Sequence, residues 1–102
     1  MILVRFVFQA KWGNAQTAVD EFKKNAEMMQ SVLGPDMHGR ILTDLSGPFD
    51  TVVQELEVES LAEWERIRAA MFNNPEFQQA QESGESPYKS GRTEFYTIEE
   101  AF

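Results

Sequence analysis

Few side chains in this sequence have the chemistry of a catalytic or metal-binding group. The chain contains no cysteine and a single histidine, His38, which excludes disulfides, thiolate metal sites and cysteine nucleophiles. His38 is a candidate general base, because the reference pKa of histidine, about 6.5, allows both protonation states near neutral pH. A lone histidine just before a strand is otherwise typical of a surface residue. One imidazole with scattered carboxylates does not predict a metal site.

A second group of candidates lies in segments whose alternating pattern is typical of strands. If the first strand lies between the third and the fourth, Arg5 faces Glu55 or Glu57 on one side. On its other side Arg5 faces Glu94 or Tyr96. One interpretation is an ion pair across the sheet or at a seam between subunits. The alternative is a polar floor in an apolar pocket, where Arg5 and Tyr96 orient a small organic ligand.

The apolar lining of such a pocket would come from aromatic residues in both halves of the chain. The candidates are Phe6, Phe8, Trp64, Phe72 and Phe77. His38 or Arg5 would then assist proton transfer. The sequence does not, however, bring together a recognisable set of catalytic residue types. Trp64 also lies in phase with the apolar residues of a helix, a pattern typical of core packing.

The first half of the chain supplies a strand, a helix and a hairpin to position these side chains. The strand ILVRFVFQA (2–10) alternates between a wholly apolar side and a mixed side. A helix follows from about Ala15 to Leu33, with Asn14 as a candidate N-cap and Gly34 at its end. The segments RILTDL and TVVQELEVE then predict two strands joined through Gly-Pro.

The second half repeats the order of helix and strand. Ser60 and Glu63 match a capping box, in which Ser60 accepts from the Glu63 amide and the Glu63 carboxylate reaches back to the Ser60 amide. Asn74 and Pro75 restart the chain as a second short helix. Residues 83–91 are rich in turn formers, and RTEFYTIE (92–99) predicts the last strand.

The resulting βαββαβ order predicts an α+β, ferredoxin-like domain over residues 1–102. In this arrangement an antiparallel four-stranded sheet carries both helices on one face. The other face stays open, and either side of the first strand would leave an apolar patch there. We therefore expect a homodimer through the open sheet faces, since a second copy is the simplest cover. The sequence leaves open which row of the first strand forms that seam.

Composition limits the other partners. The 102 residues carry a formal net charge of −8, which opposes binding to nucleic acid and to anionic lipid. The longest apolar run is far shorter than the roughly 20 residues that span a bilayer, and it lacks the features of a signal peptide. We expect a cytoplasmic protein with no nucleic acid and no membrane partner.

The segment GRILTDLSGPFDTVVQELEVESLAEWERIRAAMFNNPEF (39–77) resembles the NIPSNAP family. The shared features are a strand after glycine, a Gly-Pro turn, a strand with two adjacent valines, a Ser-Leu helix start and a restart at proline. The whole chain is similar to the wider dimeric α/β-barrel superfamily. That resemblance implies two ferredoxin-like subunits with their open sheet faces packed together, and it leaves activity to be argued from the site.

The haem-degrading members of that superfamily provide a specific comparison. They carry a histidine ligand for the iron after a break in the second helix. The segment MFNNPEFQQAQ (71–81) places Gln81 at that position, and an amide is a poor ligand for haem iron. Their first strand also contains an asparagine, which residues 1–12 lack. We therefore expect no cofactor and no metal.

The main functional prediction is a NIPSNAP-like protein of unestablished activity. It would act as a homodimeric module that binds a small apolar ligand or another protein. The alternative is a cofactor-independent monooxygenase or isomerase acting on an aromatic or polyketide-like substrate. A sizeable apolar cavity reached by Arg5, Tyr96 or His38 would favour the enzyme, and a filled core would favour the module.

Overall fold

The computed structural model describes residues 1–34, 37–75, 78 and 87–102. Four strands and two helices follow one another in the predicted βαββαβ order. They are β1 (Ile2–Ala10), α1 (Ala15–Leu33), β2 (Gly39–Thr43), β3 (Thr51–Val58), α2 (Leu61–Phe72) and β4 (Tyr88–Thr97). The strands form one antiparallel sheet in the order β2-β3-β1-β4. This confirms the ferredoxin-like prediction.

The alternation of β1 divides its side chains between the two faces of the sheet. The wholly apolar row, which begins with Ile2 and Val4, packs against the helices, and the mixed row with Leu3 and Arg5 lies on the open face. The larger core cluster joins this row to α1 and α2. Its buried members are Val4, Met29, Leu56, Val58, Trp64, Ile67 and Met71. The sequence did not determine which row of β1 stays uncovered, and the structure shows that it is the mixed row.

A smaller aromatic cluster fills the other end of the helix-covered face. The ring of Phe8 lies 5.3 Å from that of Phe22 and 4.7 Å from that of Tyr88. Gly91 is paired with Phe8, and a Cβ at Gly91 would lie 2.5 Å from the Phe8 ring. The missing side chain thus lets the Phe8 ring lie over β4. Phe8 is anchored in the core here.

The helix ends follow the predicted bounds, but two of the predicted cap bonds differ. Asn14 is the N-cap of α1, but its side chain makes no capping hydrogen bond. Only its backbone carbonyl accepts, from the amide of Ala18. At α2 the Ser60 hydroxyl accepts from the Glu63 amide at 3.1 Å, as predicted. The Glu63 carboxylate reaches back to the Glu59 amide at 2.8 Å, one residue before the predicted partner. The extended backbone at Ser60 allows that longer reach.

The last strand begins earlier than the sequence indicated. Tyr88, Lys89, Ser90 and Gly91 were predicted as turn but form the first residues of β4. A register shift between Gln9 and Ala10 lets the pairing with β1 continue to Tyr88. Backbone pairing along β1 thus overrides the local turn composition.

The predicted helix restart lies partly within the described residues. The amide N–H of Gln78 donates to the Asn74 carbonyl at 3.1 Å, which is the first helical bond expected after an N-cap at Asn74. Phe77, a candidate for the apolar pocket, and Gln81, at the position of the haem ligand, lie outside the described residues.

Candidate functional site

A row of four charged side chains crosses the open face of the sheet. Arg40, Glu55, Arg5 and Glu94 stand in register, one on each strand. The Nε atom of Arg5 donates to Oε2 of Glu55 at 2.9 Å, and its Nη1 donates to Oε1 of Glu94 at 2.9 Å. The Nε atom of Arg40 donates to Oε1 of Glu55 at 2.5 Å. Arg92 extends the row by donating from Nε to Oε2 of Glu94 at 2.9 Å. We call these five residues the charged row.

Each member of the charged row has a partner of opposite charge within the row. Glu55 is only 6% exposed, and both of its oxygens accept from arginine. Burial works to lower the pKa of Arg5, but the hydrogen bond and charge of Glu55 raise it overall, with help from Glu94. The hydrogen bond from Arg92 lowers the pKa of Glu94 below its ordinary value, and Tyr96 and Arg5 add to that effect. The five charges of the row are therefore held in ion pairs.

Apolar side chains adjoin the charged row in the middle of the open face. Leu42, Val53 and Val7 occupy three strands of the next register row, which ends at Arg92 on β4. Val7 and Val53 are buried, whereas Leu42 is 37% exposed. Neither α1 nor α2 covers this face, because both helices pack against the opposite row of β1. The result is an apolar strip beside a line of internally paired charges.

A half-open cleft lies on the other side of the sheet, between α1 and the edge strand β2. Its volume is about 190 Å³. The lining residues are Ala26, Met29, Gln30, Met37, Gly39, Arg40, Ile41, Gln54 and Leu56. Gln54 is a polar residue at 6% exposure in a row that otherwise contributes Val52, Leu56 and Val58 to the core.

The fold has close counterparts among solved structures. A NIPSNAP-like domain protein from Burkholderia xenovorans matches with a TM-score of 0.78 at 20% identity, covering 95% of this chain and 84% of that one. A NIPSNAP family protein from Agrobacterium tumefaciens matches with a TM-score of 0.74 at 13% identity, covering 94% and 90%. The chain has the NIPSNAP fold. No family model and no curated protein matches the sequence.

One further solved structure matches over the full length of this chain. An antibiotic biosynthesis monooxygenase candidate from Deinococcus radiodurans has a TM-score of 0.61 at 15% identity, covering 100% of this chain and 96% of that one. The suspected resemblance to NIPSNAP proteins and to dimeric α/β-barrel proteins is thus confirmed at the level of fold. At these identities the likeness carries no assignment of activity.

The NIPSNAP fold separates the polar and aromatic candidates that the sequence grouped into one pocket. Arg5 and Tyr96 lie on the open face, because they share the register rows of Glu55 and Leu3. The aromatic candidates of β1 and α2 lie on the helix-covered side, where the Phe6 ring is 5.4 Å from that of Trp64. The sheet itself therefore stands between the polar and aromatic candidates.

The remaining candidates lie at the margins of the fold. His38 is exposed before β2, and its carbonyl accepts from the Glu57 amide at 3.3 Å. Phe72 is 45% exposed at the end of α2, where the Arg68 guanidinium lies 5.0 Å from its ring centre. None of the described candidates lines the 190 Å³ cleft.

The residue that sequence reasoning missed is Gln54. Its signal is its position: it is the single polar side chain in the row that alternates through Val52, Leu56 and Val58. A glutamine at a core-facing strand position needs a reason, since burying an amide is costly. Sequence alone gave no way to see that a cleft opens beside it.

The described part of the chain contains neither a metal-binding cluster nor a membrane-spanning helix. No group of three or more His, Asp or Glu side chains there is arranged to hold a metal ion. No helix among those residues is long and apolar enough to cross a membrane.

Proposed function

We propose that the protein is a homodimeric module that binds a small molecule or another protein, with self-association through the open face of its sheet. The observation that carries the dimer is the charged row. Each of its five members has an ion-pair partner within one subunit, so a second copy can cover the row without separating any of these charges from its partner. A cytoplasmic location goes with this proposal.

The charge balance of the open face favours a second copy over other partners. The paired strand positions there carry three arginines, Arg5, Arg40 and Arg92, and three glutamates, Glu55, Glu57 and Glu94. The face is thus neutral on a chain whose formal net charge is −8. Two such chains repel one another through most of their surface. Contact through the neutral face is where that repulsion is smallest.

Packing supports the same geometry. In the apolar strip, Leu42 is exposed beside the buried Val53 and Val7, and the ends of the charged row supply polar groups around it. An apolar centre with a polar margin is the usual anatomy of a protein interface. Because the same patch would meet itself, the expected symmetry is a closed two-fold.

The dimer is tested by placing one carboxylate on each side of the subunit. Leu42→Glu adds a charge at the exposed apolar position of the open face. Leu61→Glu makes the same change on α2, at a residue that is 55% exposed. Light scattering should return the monomer mass for Leu42→Glu and the dimer mass for Leu61→Glu. Equal masses for the two variants would contradict a seam at the open face.

The enzyme alternative, a cofactor-independent monooxygenase or isomerase, has weaker support. It needs polar and aromatic groups around one substrate, and the sheet separates the described candidates. The cleft of about 190 Å³ is also lined by none of the described polar or aromatic candidates on which the enzyme hypothesis depends. The binding module is therefore the function that the geometry favours.

A further inference from the structure

The cleft between α1 and β2 contains a polar group that the fold itself does not use. Gln54 is 94% buried and lines the cleft. The Gln54 amide makes no side-chain hydrogen bond to any other residue that the structure describes. Among the described residues, every fully buried side-chain nitrogen or oxygen has a hydrogen-bond partner, so the amide of Gln54 is not fully buried. The Gln54 amide therefore meets the space of the cleft.

An amide in that position lowers stability and forms no side-chain hydrogen bond with the described part of the fold. The amide keeps access to the cleft and is not enclosed without a partner, but its partial desolvation is still unfavourable, and a leucine of similar size would pack there without that cost. Groups that lower stability and face a cavity are typical of binding sites. Gln54 offers one acceptor oxygen and one donor NH₂ group to whatever enters.

The rest of the cleft defines the chemical class of that ligand. Ala26, Met29, Met37 and Ile41 give it apolar and adaptable walls, and the exposed Gln30 adds a second amide to the lining. The one ionisable residue in the lining is Arg40, whose guanidinium is held on the other face of the sheet by Glu55. A charged ligand would find no counter-ion in the described lining, so the site suits a neutral molecule.

The volume of the cleft narrows the class of ligand further. A volume of about 190 Å³ exceeds the roughly 150 Å³ of an apolar cavity that accepts benzene. We propose that the cleft binds a neutral, single-ring molecule carrying one hydroxyl or carboxamide group, which exchanges a hydrogen bond with the Gln54 amide. This inference rests on the small-molecule half of the proposed function and does not require the dimer.

The test uses phenol and toluene, which match in size and differ in one hydroxyl group. The methionine methyl groups are labelled with ¹³C, and each compound is titrated by NMR. Phenol should shift the methyl signals of Met29 and Met37 and the side-chain NH₂ signals of Gln54. Met1, which is 56% exposed and outside the cleft, is the internal control. Toluene should bind roughly 10-fold more weakly, the worth of one neutral hydrogen bond.

Gln54→Leu separates a binding role from a structural one. The variant should lose the preference for phenol over toluene and should melt at a higher temperature than the wild type. Gln16→Leu, at an exposed position of α1, should change neither property. No shift at Met29 and Met37, equal binding of both compounds to the wild type, or an unchanged preference in Gln54→Leu would each overturn the inference. Because these readouts lie on the helix side, they are independent of the Leu42→Glu result for the dimer.

Discussion

Arg5 and Glu55 lie directly opposite each other on β1 and β3, with Nε of Arg5 donating to Oε2 of Glu55 at 2.9 Å. The carboxylate is buried although α1 and α2 both lie on the other face of the sheet. Its second oxygen accepts from Arg40, so a single carboxylate ties together three strands. The pair is thus both a stabilising contact and the centre of the surface that we assign to the dimer.

Glu55→Gln should lower the free energy of unfolding by about 1–3 kcal/mol, because it leaves Arg5 and Arg40 without their shared anion. Glu57→Gln is the matched control, since Glu57 lies on the same face of the same strand but is exposed. That control should stay within about 0.5 kcal/mol of the wild type. Urea denaturation at fixed protein concentration measures both. Equal losses would show that the charged row contributes no particular stability.

Acid should weaken the charged row at Glu94. The hydrogen bond from Arg92 is the largest cause that lowers the pKa of Glu94 from the ordinary value of 4.5. A carboxyl group with a lowered folded-state pKa stabilises the protein fully above its unfolded value, and that stability disappears as the pH falls through the folded value. The melting temperature of the wild type should therefore fall more steeply below pH 4.5 than that of Glu94→Gln. Parallel melting curves across this range would refute the assignment.

Gly91→Ala should destabilise the helix-side core by about 1–3 kcal/mol, because the new methyl group would press on the Phe8 ring. Ser90→Ala, at the neighbouring position on the opposite face, should have little effect. In a Phe8→Leu background the cost of Gly91→Ala should shrink, and a double-mutant cycle by thermal unfolding measures that coupling. Additive losses would mean that Gly91 and Phe8 do not constrain each other.

Local patterns in the sequence predicted most of the fold. The alternation of β1 and the three-and-four spacing between Ala15 and Leu33 were strong enough to place both elements. The start of β4 was wrong because Tyr88 to Gly91 owe their extended form to pairing with β1. Such pairing is a tertiary effect that local composition does not carry.

The candidate site was less accessible from sequence for the same reason. Strand order narrowed the partner of Arg5 on β3 to Glu55 or Glu57, and the register of the structure selects Glu55. Which side of β1 stays open did not follow, because Leu3 and Val7 make the mixed row partly apolar as well. The role of Gln54 depends on the gap between α1 and β2, which exists only in three dimensions.

The central claim, a dimer through the open sheet face, is tested most directly by sedimentation equilibrium of the wild-type protein at micromolar concentration. The account predicts twice the 11.7 kDa chain mass. It also predicts that moderate salt leaves this mass unchanged, because the charged row is paired within each subunit and an apolar strip forms the contact. A mass of 11.7 kDa over the same concentration range would contradict it.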